Sequence, residues 1–353
     1  MSAVTAITVC VISHGDDSRI LRQCLESVLA QEYDDYEVMV VVAPGETETI
    51  SLLTRMEIEY LNLRHFVTPQ DTRFIPYEQL ALSLGVMQAR YEWVALTQSD
   101  CTMNCHWLSA MAGSMTEGKN LVVGPADWRD CSLNRIWRQM TALAVAENGG
   151  GIYRADACNT ALRKSTFLKS GGFSGSVTLK HGSLQIWANA CAGVAVAPSA
   201  DACVLQTRAR TTAYDSIQWL ETRRHLKHTW RYRLSFLLDY LSQALAFAAL
   251  VALLVMVVLC HSEVNAFFDA HFSSALGAGI DYYTHIVMTF AVLLYMAYTA
   301  VETNRFNKKA RLYYGRAYGF SVCLMKLLFP ISWFSNFVDY LFIRRKKFFK
   351  TGL

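Results

Sequence analysis

Trp93 to Cys105 reads WVALTQSDCTMNC, and this stretch decides the fold. Trp93 to Thr97 are apolar or β-prone, with the length and composition of a buried strand. The run breaks at Gln98, Ser99 and Asp100, after which Asn104, Trp107, Leu108 and Met111 recur at the spacing of an inner helix face. A strand therefore carries one carboxylate to its own C-terminal end, and a helix is expected directly after it. In open α/β sheets that edge is where ligands bind. A carboxylate placed there suits a hard divalent cation bridging a diphosphate. Read locally, the same Asp100 is a helix cap, and the stretch alone does not separate the two readings.

Upstream, AITVCVIS (Ala6 to Ser13) predicts a buried strand that ends in the turn residues His14, Gly15, Asp16 and Asp17. Ile20, Leu21, Cys24, Leu25, Val28 and Leu29 mark one face of the following helix. A second buried strand is expected over Tyr36 to Ala43, broken by Pro44-Gly45, a third over Leu61 to Val67, and a helix over Pro76 to Arg90. Strands alternating with helices imply a parallel sheet with right-handed crossovers. Downstream, Leu121 to Gly124 predicts a further strand. Leu133 to Glu147 predicts a helix with Ile136, Met140, Leu143 and Ala144 inward, closed by Asn148-Gly149-Gly150-Gly151. Those glycines are no phosphate loop, because no Lys-Ser/Thr follows and they stand after a helix.

Hydrophobic residues make up 53% of the 353 and charged residues 18%, with a mean hydropathy of +0.19. That is too apolar for a wholly soluble chain, and the excess lies in the last third. A net charge of +4, without a basic stripe in the first 200 residues, argues against nucleic acid. The ten cysteines form no CxxC pair, so the spacing points to reduced, buried thiols in a cytosolic domain and not to zinc. The N-terminus lacks a basic n-region, and no cleaved signal peptide is expected.

Several segments carry a family resemblance. VISHGDDSRILRQCLESVLAQEYDDYEVMVVV resembles the opening of family-2 glycosyltransferases, and WVALTQSDC resembles the strand bearing their Asp-x-Asp motif. CNTALRKSTFLKSGGF resembles the acceptor-side motif, and WLETRRHLKH the Gln-x-x-Arg-Trp-type helix. These matches run in family order from residue 6 to about 230. The resemblance implies a glycosyltransferase-A, Rossmann-like α/β domain that binds a nucleotide-diphosphate sugar, followed by C-terminal transmembrane helices. It places a divalent metal, Mn or Mg, on Asp100, with Gln98 at the other motif position. It places the nucleotide against Ser13, His14, Gly15 and Asp16. Asn159 falls in the acceptor-side segment, and Arg224 and His225 fall where a cation reaches a phosphate.

The departures are equally specific. Ala43-Pro44 stands where the family has an Asp pair that contacts the base, Gln98 replaces the first Asp of Asp-x-Asp, and Glu221 replaces the motif's Gln. The acid expected after Gly-Gly-Phe is missing from Leu179-Lys180-His181-Gly182-Ser183. A positioned general base contributes about 10²–10⁴-fold, which leaves Asp156 and His181 as the candidates. Two readings follow: an active transferase, or a catalytically degenerate membrane scaffold.

Residues 214 to 233 combine Trp219, Trp230 and Tyr232 with many cations, the composition of a basic helix on an anionic membrane surface. Residues 236 to 260 are expected to form one span and residues 283 to 301 a second, in which His285 to Val301 is a little short without Tyr282 and Tyr283 as its interfacial belt. The loop between them has no Lys or Arg, whereas Arg305, Lys308, Lys309, Arg311 and Arg316 follow the second. The positive-inside rule then puts residues 1–233 in the cytoplasm. The stretch 318–343 contains Lys326, Pro330 and Asp339 and is followed by Arg344 to Lys347, which fits a re-entrant or interfacial helix pair. With this hydrophobic tail the chain resembles membrane-associated bacterial transferases, and the resemblance implies a multi-pass protein of a bacterial inner membrane. It would move a sugar from a nucleotide-diphosphate donor to a lipid-linked or glycan acceptor, for cell-envelope polysaccharide synthesis.

Overall fold

The computed structural model describes residues 5–13, 15, 17–69, 75–128, 133–147, 155, 157–176, 179, 182–207 and 277–325, with positions 230, 234, 238, 241, 245, 248 and 251. The chain divides into two compact units, Met1–Trp230 with Ala310–Arg316, and Arg231–Lys309 with Ala317–Leu353.

The first unit alternates strands and helices through its first half: β1 (Ile7–Ile12), α1 (Ser18–Leu29), β2 (Tyr36–Val42), α2 (Thr47–Glu59), β3 (Leu63–Val67), α3 (Tyr77–Gln88) and β4 (Trp93–Gln98). Then follow β5 (Cys101–Met103), α4 (Trp107–Ala112), β6 (Leu121–Val123), β7 (Ala126–Trp128), α5 (Leu133–Glu147), β8 (Thr160–Arg163), α6 (Lys164–Lys169), α7 (Ser183–Ala190), β9 (Val194–Val196) and β10 (Val204–Gln206). A seven-stranded sheet has the order β3-β2-β1-β4-β8-β6-β9, and a second sheet has the order β5-β10-β7. β1 to β4 are mutually parallel, as the alternation predicts. The all-parallel expectation is corrected beyond β4, because β8 runs antiparallel to both β4 and β6.

Burial follows the sequence pattern. All six residues of β1 and of β4 are buried, the signature of strands covered on both faces. On α1, Leu21, Cys24, Leu25 and Val28 are buried, and Asp17 caps its start by accepting the Arg19 amide at 2.9 Å. A Cβ on Gly85 of α3 would collide with the Cys10 sulfur of β1, so a small residue is needed for α3 to lie on the sheet. α2 lacks a clear apolar stripe: only Thr49, Leu53 and Met56 are buried, which is why periodicity does not reveal it.

The two glycines of the Gly-Gly-Phe segment have a conformational reason. Gly171 and Gly172 close α6 with φ of +76° and +57°, and the Gly172 amide donates to the Phe167 carbonyl at 3.0 Å. Their turn brings Phe173 edge-on to Phe167 at 5.0 Å, with Trp187 of α7 5.3 Å from the same ring.

Glu37 ties the other end of the sheet together. Its carboxylate accepts from Thr8 Oγ1 at 2.7 Å, the Arg90 amide at 2.7 Å and Arg64 Nε and Nη2, each at 3.2 Å. Burial pushes its carboxyl up, but Arg64, Thr8 and the Arg90 amide outweigh it and hold the group below the ordinary glutamate value. Glu37→Ala should lower stability by about 3 kcal/mol, read as an earlier denaturation midpoint. Because the folded-state pKa is depressed, the Glu37 contribution is present above the unfolded value and disappears as pH falls through the folded one. The deficit of the variant should therefore shrink in acid.

The last helix, α8, spans Gly277–Tyr314. Its end joins the first unit: Tyr313 Oη donates to Glu147 Oε2 at 3.0 Å, Tyr314 bonds Gln139, and Arg316 Nη2 contacts Asp127 Oδ2 at 2.5 Å. Arg316, counted in the sequence among the cations following the second span, is thus an ion-pair partner inside the α/β unit. The predicted span 283–301 falls within α8, while nearly all of 236–260 and most of 318–343 lie outside the described residues. Among the described residues, no helix is long and apolar enough to cross a membrane. In the second unit Asn307 Oδ1 accepts the Tyr318 amide at 2.8 Å, turning the chain after α8.

Candidate active site

The strand order locates the site. From β1 the chain winds outward through β2 to β3, then returns to place β4 on the other side of β1. The order reverses between β1 and β4, and in open α/β sheets the crevice outside the carboxyl ends at such a reversal binds ligands. Ile12 pairs with Gln98 at that edge, and the Ser99 amide donates to the Ile12 carbonyl at 2.9 Å. Ser13 therefore continues from one strand beside Ser99 and Asp100 from the other.

Asp100 sits in the turn from β4 to β5, and α4 starts only at Trp107 with His106 before it. This corrects the expectation of a helix directly after Asp100 and removes the capping reading. The short strand β5 comes first, and three residues are too few for periodicity to register. The side chain is 4% exposed, and Gln206 Nε2 of β10 donates to both carboxylate oxygens, at 3.1 and 3.0 Å. The same amide nitrogen is 3.0 Å from Gln98 Oε1. Trp128 Nε1 donates to Gln206 Oε1 at 2.6 Å. An indole nitrogen only donates, so this bond fixes which end of the Gln206 amide faces Asp100. Thr207 adds two bonds to the Asp100 carbonyl, from its amide at 2.9 Å and from Oγ1 at 2.8 Å. Gln206→Leu removes the donor that Asp100 and Gln98 share and the acceptor of Trp128, and should cost about 3 kcal/mol in the unfolding midpoint.

The donor set fits a hard cation of the Mg or Mn type, which takes one or two carboxylates and fills its remaining positions with phosphate oxygens and water. Asp100 supplies one carboxylate, and each of its oxygens has more than one acceptor direction. Gln98 supplies a neutral amide oxygen turned to Gln206, so the negative charge at this position belongs to Asp100.

On the β1 side, Ser13 is buried and its Oγ donates to Glu46 Oε2 at 2.7 Å. Gly15 turns the chain with φ +71°, its amide 3.5 Å from Ser13 Oγ. Glu46 lies just before α2, so a carboxylate stands at this edge although Ala43-Pro44 replaces the expected Asp pair. Sequence matching missed it by looking only at the residues aligned with that pair. Being the first acid after β2 was the available signal. Tyr77 joins the same edge through its hydroxyl, 3.4 Å from the Val41 carbonyl, and burial, then Glu46 and Cys10, push its pKa up.

Asn159, expected in the acceptor-side segment, holds several stretches of backbone together. It is 1% exposed, its Nδ2 donates to the carbonyls of Pro125 at 2.6 Å and Ala202 at 2.7 Å, and its Oδ1 accepts from Trp107 Nε1 at 3.0 Å. The side chain cross-links the start of β8, the turn before β7, the approach to β10 and α4. Gly124 is tight against it, since a Cβ there would collide with the amide. His14, Asp16, Asp156, His181, Arg224 and His225 lie outside the described residues.

Beneath the site the thiols are reduced and buried. Cys24 Sγ donates to the Gln98 carbonyl at 3.4 Å, and burial above all raises the Cys101 pKa. None of the eight cysteines among the described residues is in a disulfide.

Residues 8–179 match the model of Glycosyl transferase family 2. In fold, the chain is similar to a mannosyltransferase from Pyrobaculum calidifontis, solved with GDP-Man and Mn2+. The two are 16% identical with a TM-score of 0.52, over 84% of this chain and 87% of the other. Residues 1–349 of S. aureus TarS, solved with UDP, align at 16% identity and a TM-score of 0.48, over 63% of this chain and 64% of that one. No curated protein matches the chain in sequence.

Proposed function

We propose that this glycosyltransferase, whose residues 8–179 match the family 2 model, transfers a sugar from a nucleotide-diphosphate donor bound across the carboxyl ends of β1 and β4. The observation that carries the reading is Asp100, a buried carboxylate fixed by Gln206 beside the reversal of strand order. Departure of a nucleoside diphosphate places negative charge on phosphate oxygens, and a divalent cation held by Asp100 would neutralise it. The mannosyltransferase of similar fold was solved with that combination of sugar nucleotide and divalent metal. Ser13 and Gly15 line the nucleotide side, with Glu46 holding Ser13 in place. Arg224 and His225 stabilise the diphosphate, and Asp156 or His181 takes the proton of the acceptor hydroxyl.

The acceptor in this reading is lipid-linked, and the protein is anchored in a bacterial inner membrane with its catalytic domain in the cytoplasm. The uncharged run from His285 to Val301, the cations that follow it, and the exposed apolar side chains of Phe290, Leu293, Leu294, Met296 and Val301 on α8 support that placement. A membrane anchor confines enzyme and lipid-linked acceptor to one surface.

The test is donor turnover by the purified full chain. UDP- and GDP-sugars are supplied with Mn2+ or Mg2+ in lipid nanodiscs, and release of nucleoside diphosphate and nucleotide-dependent thermal shifts are measured. One donor should be turned over and its nucleotide should raise the melting temperature, because ligand binding stabilises by RT ln(1 + [L]/Kd). Absence of both turnover and shift across the donor panel would overturn the assignment.

A further inference from the structure

A second group of donor atoms stands on different side chains from Asp100. Glu32, Cys105 and His106 come within 4.8 Å of one another through one carboxylate oxygen, the Cys105 sulfur and an imidazole nitrogen. His106 Nδ1 and Glu32 Oε2 are 3.6 Å apart. In a tetrahedral zinc site with metal–ligand bonds near 2.0–2.1 Å, two such donors lie about 3.4 Å apart. The observed pair is already close to that edge.

The backbones beneath these side chains are held together. The Glu32 amide donates to the Cys105 carbonyl at 2.8 Å, and Ser109 Oγ donates to the Glu32 carbonyl at 3.0 Å. Gln31 bridges the same two segments, its Nε2 donating to the Asn104 carbonyl at 2.7 Å and its Oε1 accepting the Leu108 amide at 2.9 Å. The loop after α1 and the turn before α4 thus present their donors from a fixed base, and only side-chain torsions need adjust.

We propose that Glu32, Cys105 and His106 bind a thiophilic divalent cation of the zinc class, with water completing the tetrahedron. The donor chemistry selects the ion. A thiolate favours zinc over magnesium or manganese, and imidazole suits it equally. Thiolate and carboxylate together balance a doubly charged cation, with the imidazole neutral. Binding forms the metal–sulfur bond as the Cys105 thiol releases its proton to solvent. The bound ion would staple the α1–β2 loop to the β5–α4 turn, the connection that follows Asp100 in the chain. Sequence spacing does not show the site, because Glu32 is remote in sequence from Cys105 and no paired-cysteine motif exists.

Co2+ titration of the full chain in excess Mg2+ tests the proposal. One equivalent should bring up thiolate-to-cobalt charge-transfer absorption with tetrahedral d–d bands, removed by Zn2+ and not by Mg2+. Cys105→Ser should abolish the charge-transfer band, whereas Cys191→Ser should keep it. His106→Ala and Glu32→Gln should each weaken Co2+ binding by about tenfold or more. Glu32 and His106 are exposed, so these two changes leave the core intact. The proposal is overturned if no thiolate band forms, if the band survives Cys105→Ser, or if both His106→Ala and Glu32→Gln bind Co2+ as tightly as the parent. In the last case Glu32 and His106 form a surface ion pair and nothing more. None of these readouts depends on sugar transfer.

Discussion

Asp100→Asn should lower donor turnover by about 10³-fold while leaving the protein folded. The substitution preserves the volume of the side chain and keeps one oxygen toward Gln206 Nε2, but it turns an amide group toward the same donor. That mismatch should cost about 1 kcal/mol of stability. The lost negative charge acts on the reaction, because a hard cation at the diphosphate would have no protein carboxylate at this position. Electrostatic stabilisation of a developing anion is often the largest single contribution to catalysis, and deleting one element of it costs about 10²–10³-fold or more. The variant should also lose the dependence of turnover on Mn2+ concentration. Thermal unfolding beside steady-state release of nucleoside diphosphate separates the two effects. A folded variant that keeps turnover within tenfold of the parent would remove Asp100 from the chemistry.

The second large effect belongs to Asn159, and it concerns stability. Asn159→Ala takes their Asn159 partner from the buried Trp107 indole N–H and the Ala202 carbonyl, while the Pro125 carbonyl keeps the Val204 amide at 3.1 Å. Each buried group so orphaned costs about 1–3 kcal/mol, and the truncated side chain leaves a void as well. A loss of about 4 kcal/mol is expected, large beside the 5–15 kcal/mol that holds a typical domain together. Asn159→Asp should be no milder, because a carboxylate would then face two carbonyl oxygens in the interior. Chemical denaturation of both variants gives the answer. If Asn159→Ala unfolds at the same denaturant concentration as the parent but shows a raised KM for acceptor, the side chain contacts substrate and its cross-link is unimportant for stability.

The sequence by itself determined the parallel half of the fold. Runs such as ITVCVI and WVALTQ are apolar on both faces, and a strand of that kind is stable only under helices on both sides of a sheet. The amphipathic pattern of α1 and the apolar stripe of α5 were legible for the same local reason: burial of one face is written every three or four residues. The position of Asp100 at the end of its strand was legible too.

Tertiary structure alone decided the rest, because it depends on residues far apart in sequence. β5, β7 and β10 are three residues each, too short to leave a periodic trace, and they exist as a sheet only by pairing with one another. That pairing brings Gln206 to Asp100 across more than a hundred residues, and fixes its amide through Trp128. The same kind of long-range closure carries Glu46 to Ser13, and makes Asn159 an internal cross-link. Local pattern records which side chains must leave water. Only the folded chain determines which polar groups then meet, since each buried donor and acceptor has to be satisfied by whatever partner the topology delivers.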